Sequence, residues 1–321
     1  MGFTPQKVTD DQAFWNILLY ADSGAGKTVY ALKDKRVLVL APEDGGLMSA
    51  ARMGTEADKI PVNDWEDMQK ANDDLWSDEG LEQLKEYDVL VVDSLTEMDA
   101  MIMRYILKKT REVKLAKDTD PDTPWIDDYG KRNILLEKMV RSLNDLPINV
   151  FYTALPRIAE DPDGKEFVVP MLGGNKPTDY RFSMKIVALM TSFGYMRVEE
   201  IKMAAATDEE PNKTRKVKQR VIYWEDTSFS KGKDRTLALT PKTVNFTMQH
   251  MRLCIEGKLD RNGKPAKQAQ AKEASLKRHP ANQPAPEKAS PPASPKSDEG
   301  VESEGQGANG KETVSLAPVE P

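Results

Sequence analysis

The segment Asp22-Ser23-Gly24-Ala25-Gly26-Lys27-Thr28 holds the residue types that grip a polyphosphate, in the order that chemistry needs. Small residues and glycines let backbone N–H groups turn inward around phosphate oxygens. A lysine after the last glycine reaches the terminal phosphates, and the next hydroxyl ligates Mg²⁺. The residues before it, Ile17-Leu18-Leu19-Tyr20-Ala21, are apolar and read as a buried strand, and those after it open a helix. Ala21 stands where the G-x-x-x-x-G-K-[ST] pattern has its first glycine; alanine is accommodated there while φ stays negative. The segment predicts a phosphate-binding loop for ATP with Mg²⁺, formed by Asp22 to Thr28, with Lys27 partly exposed toward phosphate.

Two acids extend this chemistry. Asp93 ends the apolar run Val89-Leu90-Val91-Val92, where a carboxylate beside Mg²⁺ is expected at the carboxyl edge of a sheet. Ser94 is then free to cap the helix that follows. Glu43 follows the run Val37-Leu38-Val39-Leu40-Ala41-Pro42 and precedes Asp44, Gly45 and Gly46. If that strand neighbours the loop strand, Glu43 faces the γ-phosphate and orients an attacking water as general base. Asp44 and Glu97 are weaker alternatives. A polar sensor at the end of the strand 148–153 would be Thr153 or a later residue.

The elements that must position these residues are legible as a pattern. The runs at 14–20, 36–42, 89–93 and 148–153 are continuously apolar, which indicates strands buried on both faces of a parallel sheet. Met98, Met101, Ile102 and Tyr105, then Leu136, Met139, Val140 and Leu143, recur at helical spacing and mark core faces. Beyond residue 181 the runs 186–190, 195–201 and 220–224 read as strands of a more antiparallel kind. The expected fold class is α/β, a P-loop core with a mostly parallel central sheet and a β-rich C-terminal edge. Residues 1–257 form the domain, and 258–321 are a low-complexity, disordered tail.

Composition narrows the function. Residues 258–296 carry nine Lys/Arg against three Asp/Glu, residues 297–321 one against six, and the 321-residue chain has a net charge of −6. The tail therefore sums to +1 and the domain to −7, which argues against indiscriminate coating of nucleic acid. The basic residues of the domain gather at Lys213, Arg215, Lys216, Lys218 and Arg220, ahead of Tyr223 and Trp224. That run is either a stacking and phosphate surface for DNA or a solvated hairpin edge. A single cysteine, Cys254, and two histidines, His250 and His279, leave little for zinc or Cys–His catalysis. No membrane span or signal pattern is expected, which suits the cytoplasm of a bacterial host cell.

Loop, Glu-Asp-Gly-Gly strand end and Val-Val-Asp-Ser-Leu-Thr-Glu together resemble the RecA-like ATPases of bacteriophages and prophages, most of all the compact RecA-core proteins grouped with phage single-strand annealing proteins. Asp128-Tyr129-Gly130, Asp145-Leu146-Pro147, Lys231-Gly232-Lys233-Asp234-Arg235 and a terminal helix near 246–255 add to the likeness, which spans about residues 13–256. The resemblance implies Glu43 as catalytic glutamate and Asp93 as the metal-site aspartate, with Lys233 and Arg235 reaching a neighbouring subunit's phosphates in a ring or filament. It implies single-stranded DNA as a partner in annealing, recombination or replication. The counterparts of the DNA-binding loops, 114–127 and 156–179, are rich in acids rather than basic. The alternative is a nucleotide-switched protein that recruits DNA-metabolism partners, a single-strand-binding protein among them, through its tail.

Overall fold

The computed structural model describes residues 14–42, 45–113, 123–174, 178–204 and 214–266. The apolar run ahead of the glycine loop is β1 (Asn16–Ala21), buried on both faces from Ile17 onward. Parallel to one another in the same sheet run β2 (Val37–Ala41), β3 (Asp58–Pro61), β4 (Val89–Val92) and β5 (Asn149–Ala154). A separate antiparallel hairpin, β6 (Pro156–Glu160) and β7 (Glu166–Pro170), follows β5. Then β8 (Ser192–Ala204) lies parallel to β1 and turns into the antiparallel β9 (Thr214–Tyr223). The short β10 (Lys233–Asp234) pairs with β8, and β11 (Lys242–Val244) closes the edge against β9. Across the sheet the order is β11-β9-β8-β1-β5-β4-β2-β3.

The alternation of side chains divides the core in two. Leu18 and Tyr20 of β1 face a cluster supplied by α3 (Trp65–Trp76), α5 (Leu95–Val113), α6 (Ile126–Asn144) and α7 (Arg181–Ala188). Ile17, Leu19 and Ala21 face α1 (Lys27–Ala31), α2 (Gly45–Arg52) and α8 (Met248–Ile255). Arg252 fastens α8 beneath α1 through a 2.8 Å ion pair with the buried Asp34. The mixed α/β architecture with a mostly parallel central sheet is the one the apolar runs predict.

Three readings need correction. Residues 186–190 are not a strand, because Ser183, Ile186 and Val187 are buried at i, i+3 and i+4 on one face of α7, and Met190 is buried just past its end. The strand before Glu43 does not neighbour the loop strand, since β5 and β4 stand between β2 and β1. Ordered chain also continues past 257. Leu259 packs on the α8 cluster and bridges to Pro265, and Cys254 Sγ donates to Asp260 O at 3.0 Å. The remainder of the tail, 267–321, lies outside the described residues.

Candidate functional site

At the end of β1 the chain leaves an extended Ala21 and turns back, Ala25 N–H donating to Asp22 O at 3.2 Å. Gly24 and Gly26 adopt φ of +78° and +94°, values that a side chain disfavours, so both glycines are needed for the turn itself. Lys27 is buried rather than partly exposed, because its ammonium donates to Ala21 O at 2.7 Å and Asp22 O at 3.0 Å. The strand end thus supplies two carbonyl oxygens to the ammonium.

Asp93 follows β4, and the inserted β5 sets it across from the loop. Its Oδ2 accepts from Thr28 Oγ1 at 2.7 Å, and its Oδ1 accepts from the fully buried Thr153 Oγ1 at the end of β5. Ser94 Oγ caps α5 by accepting from Glu97 N at 3.3 Å. A hydroxyl and a carboxylate side by side are hard oxygen donors of the kind Mg²⁺ takes when phosphate oxygens and waters fill its other positions. Among the described residues no cluster of three or more His, Cys, Asp or Glu side chains is arranged to hold a metal alone. The Thr28–Asp93 pair fits a phosphate-shared Mg²⁺.

Ser23, Lys27, Thr28, Ser49, Asp93 and Arg220 line a cavity of about 420 Å³ here. Arg220, the last of the basic run, reaches the loop, where its Nε donates to Ala25 O at 3.1 Å. Tyr195 Oη lies 3.3 Å from Asp22 Oδ2, and burial, then the Asp22 charge, pushes its phenol above the ordinary range. Tyr195 is 173 positions from Asp22 and Arg220 is 195 from Ala25, and no local motif marks either one. Only the strand alternation hints at Arg220, which shares a face of β9 with Lys216 and Lys218.

The other expected residues are dispersed. Glu43, Asp44 and Lys213 lie outside the described residues, as does the Arg215 side chain. Glu97 is turned away from the loop cavity and paired with Arg104 at 2.5 Å. Lys216 and Lys218 are exposed, with Lys216 3.4 Å from Glu200. Lys233 registers with Phe193 and Asp234 with Ser192, residues that pair with Leu18 and Ile17 at the start of β1. Lys233 and Arg235 therefore sit toward the opposite end of the sheet from their own loop. Burial, then the Arg235 charge, holds the Lys233 ammonium below its ordinary range.

A glycine turn of this geometry, a lysine at its end and a Thr–Asp pair across it, set on a mostly parallel sheet, define a P-loop nucleotide-binding domain. The chain belongs to the AAA domain family of P-loop ATPases, whose model matches residues 13–236, well over half of the sequence. No curated protein sequence matches it. Among solved structures it is similar to a KaiC-like protein of Pyrococcus horikoshii, with 12% identity over 65% of this chain and 77% of that one and a TM-score of 0.31. The flagellar accessory protein FlaH of Methanocaldococcus jannaschii gives 12%, 65%, 76% and 0.29. The assignment rests on the family match and the loop geometry.

Proposed function

We propose that this protein is a Mg²⁺-dependent ATPase of RecA-like type that works on single-stranded DNA in annealing, recombination or replication. The observation that carries the ATPase reading is the 2.7 Å contact of Thr28 Oγ1 with Asp93 Oδ2, beside Lys27. Bound Mg²⁺ would neutralise phosphate charge there, held by Thr28 and Asp93. Lys27 would exchange carbonyl oxygens for phosphate oxygens, a stronger, charge-assisted bond. Glu43 remains the proposed base. Gly46, three residues on, approaches the loop so closely that a Cβ on it would lie 2.6 Å from Thr28 Oγ1.

The DNA reading is supported by Lys216 and Lys218, which lie exposed on the face of β9 that leads away from Arg220 at the nucleotide cavity. A phosphate surface and the nucleotide cavity then lie on one rigid strand. Lys233 and Arg235 are proposed to serve a neighbouring copy, since their own loop is at the other end of β1. Head-to-tail contacts of that kind build rings or filaments.

The test is ATP hydrolysis with and without Mg²⁺ and single-stranded DNA, alongside gel shifts across salt. Expected are Mg²⁺-dependent turnover, stimulation by DNA and binding that weakens with salt. Absence of turnover overturns the ATPase reading. Turnover with neither stimulation nor a gel shift overturns the DNA reading and favours a nucleotide-switched recruiter.

A further inference from the structure

Among the described residues lining the loop cavity, Arg220 is the only cation that the glycine loop does not itself supply. Its backbone is held firmly at the sheet edge. Arg220 N donates to Asn245 Oδ1 at 2.9 Å, and Asn245 N donates to Arg220 O at 2.7 Å. From there the side chain crosses to the loop and lies flat on its turn. A Cβ placed on Gly26 would come within 2.9 Å of a terminal guanidinium nitrogen and 3.0 Å of Nε. Glycine at 26 thus serves the left-handed turn and the close approach of this arginine together.

The guanidinium meets the loop through a neutral backbone carbonyl, Ala25 O. An arginine carries five N–H donors in a rigid fork that matches phosphate. An anionic oxygen is the better acceptor, by roughly twofold in bond strength. The geometry points to Arg220 as a phosphate-contacting cation that acts in cis, on the polyphosphate held by its own chain's loop. This rests on the nucleotide reading above and adds to it a cation, supplied by β9, that needs no neighbouring subunit. It also makes β9 responsive to the nucleotide, because Lys216 and Lys218 follow Arg220 outward on the same face.

The test is fluorescence-polarisation titration of the full-length chain with labelled ATP and ADP, across salt, for wild type, Arg220→Ala, Arg220→Lys and Lys27→Ala. Circular dichroism melts check folding. Arg220→Ala should weaken ATP binding by about tenfold to a hundredfold, the range for a lost charge-assisted contact. It should also flatten the salt dependence, while Arg220→Lys recovers part of the affinity without the fork. If Arg220→Ala melts early, Arg220→Gln keeps a donor for Ala25 O, removes the charge and gives the same comparison. Unchanged or tighter ATP binding without the charge overturns the proposal and makes Arg220 a strut or plug on the loop. Loss in Lys27→Ala with no change at Arg220 overturns this inference alone. No change in either variant overturns the nucleotide reading as well.

Discussion

Two concave regions flank the start of α5, and the larger is not the one at the glycine loop. A cavity of about 690 Å³ lies between α5, α6 and the segment 171–174, against about 420 Å³ at the glycine loop. In the larger one, two arginines face carboxylates and a third meets backbone carbonyls. Arg104 is bound to Glu97 at 2.5 Å, and Arg132 lies 3.3 Å from the buried Asp99. Asp99 also accepts from Gly173 N at 3.1 Å, and Arg157 donates to Gly174 O and Asp179 O. In the smaller cavity the cations Lys27 and Arg220 donate to backbone carbonyls, and Asp93 accepts from two hydroxyls. An arginine packed against a buried carboxylate, as Arg132 is against Asp99, is costly to part from it, whereas a carboxylate that accepts from two hydroxyls, as Asp93 does, keeps its charge for a cation. The partners of the acids, more than volume, distinguish the two regions.

Crossed substitutions should break the molecule along that line, with the largest effects of all. Lys27→Ala should lower ATP turnover by about a thousandfold or more, since catalysis by such sites is positioning plus electrostatics. Its unfolding free energy should move by about 1–3 kcal/mol, the range for a polar group left under-satisfied. Asp99→Ala should do the reverse. It leaves Arg132 buried without its carboxylate, a change of about 3–5 kcal/mol, yet ATP affinity of the folded protein should stay within about twofold. Urea unfolding and nucleotide titration of both variants measure the four quantities. Equal movement of both readouts in either variant would join the two regions into one functional unit.

The local half of the smaller cavity was readable from sequence, and the distant half was not. Continuous apolar runs mark the core strands because burial on both faces leaves no room for polar alternation. The glycine loop is readable because its chemistry is contiguous. Asp93 is readable because it ends such a run. The insertion of β5 between β1 and β4 is a topological fact that no local pattern encodes, and it decides that Thr153 meets Asp93. It also removes the premise that set Glu43 beside the loop strand. Arg220 looked like one charge in a basic run because the register of β9 against β8, and of β8 against β1, is fixed only by tertiary packing. Residues 186–190 went astray for a simpler reason. A short apolar run fits either period, and only the buried Ser183 a turn earlier reveals the helical one.

A smaller effect sharpens the contrast from the loop side. Thr153 is a positioning residue: its buried hydroxyl donates to Asp93 Oδ1 and leaves Oδ2 for Thr28. Thr153→Val keeps the shape and removes the donor. The Mg²⁺ concentration giving half-maximal ATP binding should rise about threefold to tenfold, only part of what one lost bond to a charged group costs, because the hydroxyl acts on the ion through Asp93. Thr153→Ser should return it to the wild-type value. If Thr153→Val lowers stability and leaves the Mg²⁺ titration unmoved, the hydroxyl is structural.

The smallest effect tests the Asp99–Arg132 pair through pH. Burial raises the Asp99 carboxyl above its ordinary range, outweighing the opposing pull of Arg132 and the Gly173 N–H bond. The sign follows from proton counts. Where the folded value exceeds the unfolded one, the folded state holds more protons between the two, so stability falls as pH rises through that interval. Other carboxylates titrate nearby, so the informative quantity is the unfolding free energy of wild type minus that of Asp99→Asn. That difference should be largest at acid pH, where Asp99 is protonated in both states. It should then decline as pH climbs from the ordinary aspartate range through the raised folded value, by about 1.4 kcal/mol per unit of separation at most. A difference that instead grows with pH would mean that attraction to Arg132 outweighs burial. The larger cavity would then be held by its ion pair as a net stabilising contact, despite the cost of taking both charges out of water.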